Sequence, residues 1–329
     1  MAPGPAPSPR GVPVNPLRPA ILAVAGSERV KRTLTTSPAT AAMVQRFVPG
    51  ESRPDLIAAA RTLLMSGRAV SVDYLGENTT DRAQADAAVA EYLALINDLA
   101  ALPTTEVPAG AAPLEVSVKL SALGQALGAD GPAIATENLR TVCTKAAEAG
   151  VWVTVDAEDH TTTAATLAVT GQVRPDFPWL GTVIQAYLYR SEDDCRDLAD
   201  AGARVRLCKG AYREPETVAY QRRVDVDRAY LRCLRVLMRG AGRPLVASHD
   251  PVVLAAAADL ATITGRRPGR LEYQMLYGIR TDEQLHLADR GDFVRVYLPY
   301  GHQWYGYLMR RLAERPANLA FFLRALAGR

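Results

Sequence analysis

The segment "GVWVTVDAEDH", residues 150–160, opens on a glycine suited to stopping a helix, runs as a short β-branched stretch, and breaks into an acidic turn. The alanine- and threonine-rich "TTTAATLAVTG" at 161–171 follows with helical character. Helix stop, strand, polar turn and helix start make one unit of a parallel βα protein. The unit recurs along the chain. Its strands read "RAVSVDYL" at 68–75, "LEVSVKL" at 114–120, "VWVTVDA" at 151–157 and "GTVIQAYL" at 181–188. They continue with "ARVRLCK" at 203–209, "PLVASH" at 244–249, "LEYQML" at 271–276 and "FVRVYL" at 293–298. Between them, Ser191 with Asp194 and Thr281 with Gln284 carry the capping-box pattern of a helix start. Gly150 and Gly202 stand where helices should end.

Eight such repeats predict an α/β protein built as a single closed parallel (βα)8 barrel. An open doubly wound sheet with a helical domain is the alternative. The dinucleotide fingerprint G-x-G-x-x-G is not matched, because Gly240 and Gly242 are followed by Leu245 where the third glycine belongs. Residues 1–19 hold seven prolines and few large apolar groups, which predicts a disordered tail. Residues 20–66 alternate helix-like stretches with breaks and are expected to form a helical arm, leaving 67–329 for the barrel.

A length of 329 residues accommodates a barrel, which commonly takes about 250. With 48% apolar residues the chain can fill a core, and a formal charge of +3 is close to balanced. Concentrated basic runs with aromatic platforms, the mark of a nucleic-acid binder, do not occur. Cysteines 143, 195, 208 and 233 include no Cys-x-x-Cys pair, which argues against a zinc site or disulfide framework and for a reducing compartment. "ILAVAG" at 21–26 is too short for a signal core, and every other apolar run is interrupted before it could cross a bilayer. The expected location is cytoplasmic.

Barrel enzymes place their chemistry at the C-terminal ends of the strands, where the loops surround a common mouth. Polar residues fall at those ends: Lys119; Asp156 and Glu158; Gln185 and Tyr187; Arg206 and Lys209; His249; and Tyr297 in the last strand. Singly, each has a plain structural explanation, such as a snorkelling lysine, a helix-capping acid or a hydrogen-bonded histidine. Together, several cations on one rim imply a ligand that neutralises them. A divalent metal at "DAEDH" is the weaker reading, since Lys119, Arg206 and Lys209 would oppose it. No metal site is expected.

Two further segments point to anions. "RLCKGAY" at 206–212 joins a flexible Gly-Ala backbone to a lysine, a combination that suits a phosphate or a simple strand exit equally. In "RVYLPYGHQWYGYLMRRLAE" at 295–314, a strand and turn lead to a helix with adjacent Arg310 and Arg311. Glu314 lies four and three positions beyond them and can brace both, leaving guanidinium donors for a carboxylate. A solvated helix face is the plainer reading.

Taken in order, "VSVKLSALG", "VDAEDH", "VIQAYL", "RLCKGAY", "ASHD", "YQMLYGIR" and "RVYLPYGHQWYGYLMRRLAERPANL" resemble the proline dehydrogenase family in its monofunctional bacterial form, over roughly residues 65–325. The resemblance implies a distorted barrel that binds FAD noncovalently, oxidises L-proline to Δ1-pyrroline-5-carboxylate, and passes electrons to a membrane quinone. A separate pyrroline-5-carboxylate dehydrogenase would act downstream. It further implies that Arg310, Arg311 and Lys119 bind the proline carboxylate, with Tyr297 and Leu276 against the ring and Asp156 in the inner network. Arg206 would sit by the flavin N5, and Gln185 and Ala157 near the isoalloxazine. Cys208, Lys209, Gly210, Ala211, Ser248 and His249 would contact the rest of FAD. Cys208, Arg213 and the "SHD" at 248–250 depart from the commoner family pattern. A metal-assisted barrel hydrolase or lyase, and a non-catalytic flavin- or amino-acid-binding barrel, are the rival readings.

Overall fold

The computed structural model describes residues 44–76, 79–104, 106–267, 269–305 and 307–308. The chain divides into two units, Gln45–Trp304 and one that combines Met1–Val44 with Tyr305–Arg329. In the second, only residues 44, 305, 307 and 308 are described, so the expected tail and most of the expected arm lie outside the described residues.

The first unit opens with helix α1 (Arg53–Met65), followed by β1 (Ala69–Tyr74), α2 (Arg82–Ala100), β2 (Leu114–Val118), α3 (Gly131–Ala149) and β3 (Trp152–Val155). Next come α4 (Thr163–Val173), β4 (Gly181–Gln185), α5 (Ser191–Asp200), β5 (Arg204–Cys208) and α6 (Arg223–Arg239). The series ends with β6 (Arg243–Ala247), α7 (Pro251–Ile263), β7 (Glu272–Leu276), α8 (Thr281–Asp289) and β8 (Val294–Tyr300). Each strand pairs in parallel with the next, and β8 returns to β1, so the sheet closes in sequence order. The closed barrel is the expected one, and the open sheet is excluded.

Side-chain alternation explains what fills each face. Val70, Val72, Val116, Val118, Val153, Val155, Val296 and Leu298 point outward and pack with Leu56, Tyr92, Leu95, Leu139 and Val142 of the covering helices. On the opposite half, Val205, Leu207, Val246, Met275 and Val294 meet Tyr230, Leu234, Leu237 and Leu254. The alternate positions face the lumen and are largely polar. Arg206 on β5 bonds Ser71 on β1 and Glu115 on β2, which are not its neighbours in the sheet, so these bonds cross the interior. A barrel core is more often filled by Val, Ile and Leu in layers. In this lumen charged groups take that place.

Helix punctuation follows local chemistry with two exceptions. Ser52, Asp81 and Asp250 cap α1, α2 and α7 by accepting backbone N–H bonds from Asp55, Gln84 and Val252. Gly150 closes α3 in the left-handed region at φ 67°, and Gly202 after α5 has φ 65°, as expected. The two capping boxes are not formed. Ser191 lies inside α5 and donates its hydroxyl to the Gln185 carbonyl at 2.6 Å, while Asp194 pairs with Arg190. Thr281 begins α8 after Arg280, and Gln284 turns back to the Leu276 and Ile279 carbonyls instead of a helix start. In both places a strand carbonyl or loop competes successfully for the side chain.

Candidate active site

Beneath the C-terminal rim, Arg206 is locked at the centre of the lumen. Its Nε donates to Gln274 Oε1 at 2.5 Å, and its Nη1 to Asp156 at 2.5 Å and Ser117 at 2.7 Å. Nη2 donates to Glu115 at 2.8 Å and Ser71 at 3.1 Å. A guanidinium has five N–H groups, and all five are taken. Arg206 therefore offers the rim a fixed positive charge in place of a free donor. Burial works against that charge, but the Asp156 and Glu115 carboxylates outweigh it and hold the group above its ordinary range.

Tyr297 lies on β8 above this network. Its hydroxyl donates to Asp156 Oδ2 at 2.8 Å, and its ring lies 5.3 Å from the Arg206 guanidinium. Burial, then the Asp156 and Asp73 carboxylates, keep the phenol protonated far above its ordinary value. Lys119 directly follows β2 and donates to both oxygens of Asp73 at 2.7 Å, with Asp156 at 3.9 Å. Burial pushes the Asp73 carboxyl up to about 6, against the opposing pull of Lys119. Glu115 goes the other way: burial alone would raise it, but Arg295, Arg204 and Arg206 together hold it well below the carboxylate range.

A second group forms half of the rim. Gln185 ends β4 and donates to the Glu158 carbonyl at 2.7 Å, beside the half-buried Ala157. Cys208 ends β5 and donates to the Ile184 carbonyl at 3.6 Å. Lys209 then reaches Asp227 at 2.5 Å and Asp250 at 2.8 Å. Gly210 has φ 117°, and a Cβ there would come within 2.3 Å of the Tyr187 ring, so the turn needs glycine. Ala211 N points at Gln185 Oε1 at 3.5 Å. After β6, Ser248 accepts from Asp250 N at 3.1 Å, and His249 Nε2 accepts from Leu276 N at 2.9 Å. Leu276 pairs in register with Tyr297. A lysine, amide groups, a histidine and a backbone brought close by glycine form a donor set that fits a large ligand with anionic and heteroaromatic parts.

The structure thus gathers Asp156, Arg206, Tyr297 and Lys119 in one network, with Leu276 beside it, and Gln185, Cys208, Lys209, Gly210, Ala211, Ser248 and His249 around it. Arg310, Arg311 and Glu314 lie outside the described residues. One piece of reasoning is corrected. Lys119, Arg206 and Lys209 do not depend on a ligand for neutralisation, because Asp73, Asp156, Glu115, Asp227 and Asp250 balance them. Of those acids Asp73, Glu115 and Asp227, with Ser71, Ser117 and Gln274, were not singled out from sequence. Their signal was present as polar residues at alternate positions inside otherwise apolar strands, as in "LEVSV" and "RVRL".

A closed βα barrel with a buried ionic network under its C-terminal rim defines the class, a barrel enzyme. The family model described as proline dehydrogenase matches residues 56–324. The proline dehydrogenase of Deinococcus radiodurans is 38% identical over 286 residues, covering 86% of this chain and 90% of that protein. Proline dehydrogenase 1 of Bacillus subtilis is 35% identical over 282 residues, covering 86% and 90%. The crystal structure of proline utilization A (PutA) from Bdellovibrio bacteriovorus, inactivated by N-propargylglycine, superposes with a TM-score of 0.79 at 29% identity. That match covers 91% of this chain and 36% of that longer one. The chain belongs to the proline dehydrogenase family, whose reaction, proline oxidation, is the first step of proline catabolism.

Proposed function

We propose that this protein oxidises L-proline to Δ1-pyrroline-5-carboxylate with noncovalently bound FAD, the hydride leaving C5 for the flavin N5, and passes the electrons to a quinone. The observation that carries the reading is the Tyr297–Asp156–Arg206 network under the rim, in a chain of this family. FAD, when bound, supplies the two-electron acceptor. Gln185, Ala157, Cys208, Lys209, Gly210, Ala211, Ser248 and His249 would hold it. Family membership leaves the metal-assisted hydrolase or lyase and the non-catalytic barrel without support.

The chain's own residues orient and polarise. Lys119, Arg310 and Arg311, with Glu314 to brace the two arginines, would anchor the substrate carboxylate, so that one small ring takes a single pose. Lys119 is drawn toward Asp73, and a substrate carboxylate shares that ammonium with it. Tyr297 and Leu276 wall the ring, and Asp156 fixes the Tyr297 hydroxyl by accepting its proton bond. Arg206 places an immobile positive charge where negative charge grows during reduction, which lowers the barrier without reorganisation. The basic side chains proposed for the carboxylate would also favour the neutral amine, whose lone pair expels the hydride.

Among the described residues no helix is long and apolar enough to cross a membrane. Delivery to a membrane quinone would use peripheral contact at the cytoplasmic face, with a separate pyrroline-5-carboxylate dehydrogenase consuming the product. The test is turnover with L-proline and a soluble quinone, scoring an amine-trapped pyrroline product. Product formation that requires both is expected, and no product with any quinone overturns the reading.

A further inference from the structure

The N-terminal end of the barrel holds a buried guanidinium whose terminal nitrogens find no acceptor among the described residues. Lys119, Arg204, Arg206, Arg243 and Arg295 are buried in the barrel interior together with Asp73, Glu115, Asp156 and Glu272. Each is assigned to a partner except one. Lys119 takes Asp73, Arg206 takes Asp156 and Glu115, Arg204 takes Glu115, and Arg295 takes Glu272. Arg243 is only 4% exposed, yet neither of its Nη atoms has a hydrogen-bond partner among the described residues.

Other unsatisfied groups stand in the same place. Thr154, Gly181, Arg204 and Arg243 are register partners across β3, β4, β5 and β6, one row of the barrel wall at its N-terminal end. In that row Thr154 Oγ1 and Arg204 Nε are also buried without a partner. Gly181 leaves the row open, since a Cβ there would meet Thr154 Oγ1 at 2.6 Å and Arg204 Nη1 at 3.2 Å. The Arg204 and Arg243 guanidiniums both face the Trp152 ring, at 4.2 and 5.5 Å from its centroid. Gly110, at φ 72°, lies close to Arg243, and Arg295 holds the Ala112 carbonyl of the same loop at 2.7 Å. Glu272, on the adjacent strand, is committed to Arg295 at 2.6 Å and Gln274 at 2.5 Å.

The Glu272 carboxylate acts on Arg243 only through space, so its terminal nitrogens stay unsatisfied, and three orphaned donor groups in one row share the same lack of an acceptor. We propose that the barrel floor binds a small monovalent anion, chloride in solution, between the Arg243 fork and Arg204 Nε. One guanidinium fork is left without acceptors, so a monovalent ion matches it and a divalent oxyanion would overcompensate it. The ion ties β5 to β6 at the end opposite the rim. Its binding is independent of the redox reaction.

The probe is bromide. Crystals of the full chain grown or soaked in sodium bromide should show an anomalous peak within hydrogen-bond distance of Arg243, and crystals of Arg243→Met should lack it. In solution, exchanging gluconate for chloride at constant ionic strength should raise the melting temperature of the parent by about 2–4 °C and leave Arg243→Met unchanged. Ordered water without anomalous signal beside Arg243, or a chloride effect equal in both proteins, overturns the proposal. Should the variant fail to fold, the bromide map of the parent decides alone.

Discussion

Arg206 has five N–H groups and five protein acceptors, and this fixes its part in the proposed chemistry as a field and not a moving donor. Arg206→Met should slow anaerobic flavin reduction by roughly 10²–10³-fold, the scale of losing one preorganised electrostatic contact. It should also cost about 3–5 kcal/mol of stability, because Glu115 and Asp156 would be left buried and unpaired. A stopped-flow trace with an unaltered rate removes Arg206 from the mechanism. Asp73 gives a pH signature. Its folded value of about 6 lies above the ordinary 3.8, so it contributes stability that is full below pH 4 and lost as pH rises through 6. Urea midpoints of the parent and Asp73→Asn should therefore differ more in the parent's favour at pH 4.5 than at pH 7, and a constant difference would refute the assignment. Arg310→Ala or Arg311→Ala should weaken proline capture by about 2–5 kcal/mol, and an unchanged KM would exclude a carboxylate clamp. Strand-end residues such as Asp156 and Tyr297 were legible because barrels put chemistry there. Glu115 and Gln274 were not, since one polar residue within a strand gives no hint of what lies across the lumen.

At the scale of the elements, strands were read more surely than helix starts. Ser191 and Thr281 satisfy a capping pattern, yet both lie inside their helices, because position relative to the preceding strand and loop decides which backbone group a hydroxyl meets. Glycines were read better, since a left-handed residue has few substitutes. Two of them separate conformation from packing. Gly150→Ala meets no neighbour within 4 Å and should cost about 1 kcal/mol for its φ of 67° alone. Gly210→Ala adds a 2.3 Å approach to Tyr187 in the turn after β5. It should lower both the melting temperature and the flavin recovered per mole of protein, whereas Gly150→Ala should lower only the first. Equal flavin content in the parent and Gly210→Ala would detach that turn from cofactor binding.

The unit Gln45–Trp304 is a barrel whose outer strand faces are aliphatic and whose lumen is ionic. The outward alternation made eight strands visible in the sequence and hence the closure. The lumen's pairing stayed hidden because its partners, such as Arg206 and Ser71, are 135 positions apart and meet only once the sheet closes. The proposed substrate pocket stands at one end of that lumen, and the Arg243 nitrogens without acceptors among the described residues stand at the other. The most direct measurement is the anaerobic visible spectrum of the purified protein before and after L-proline. A flavin absorbance band that bleaches on addition of L-proline is predicted. A colourless protein, or a yellow one whose spectrum proline leaves untouched, would contradict the account.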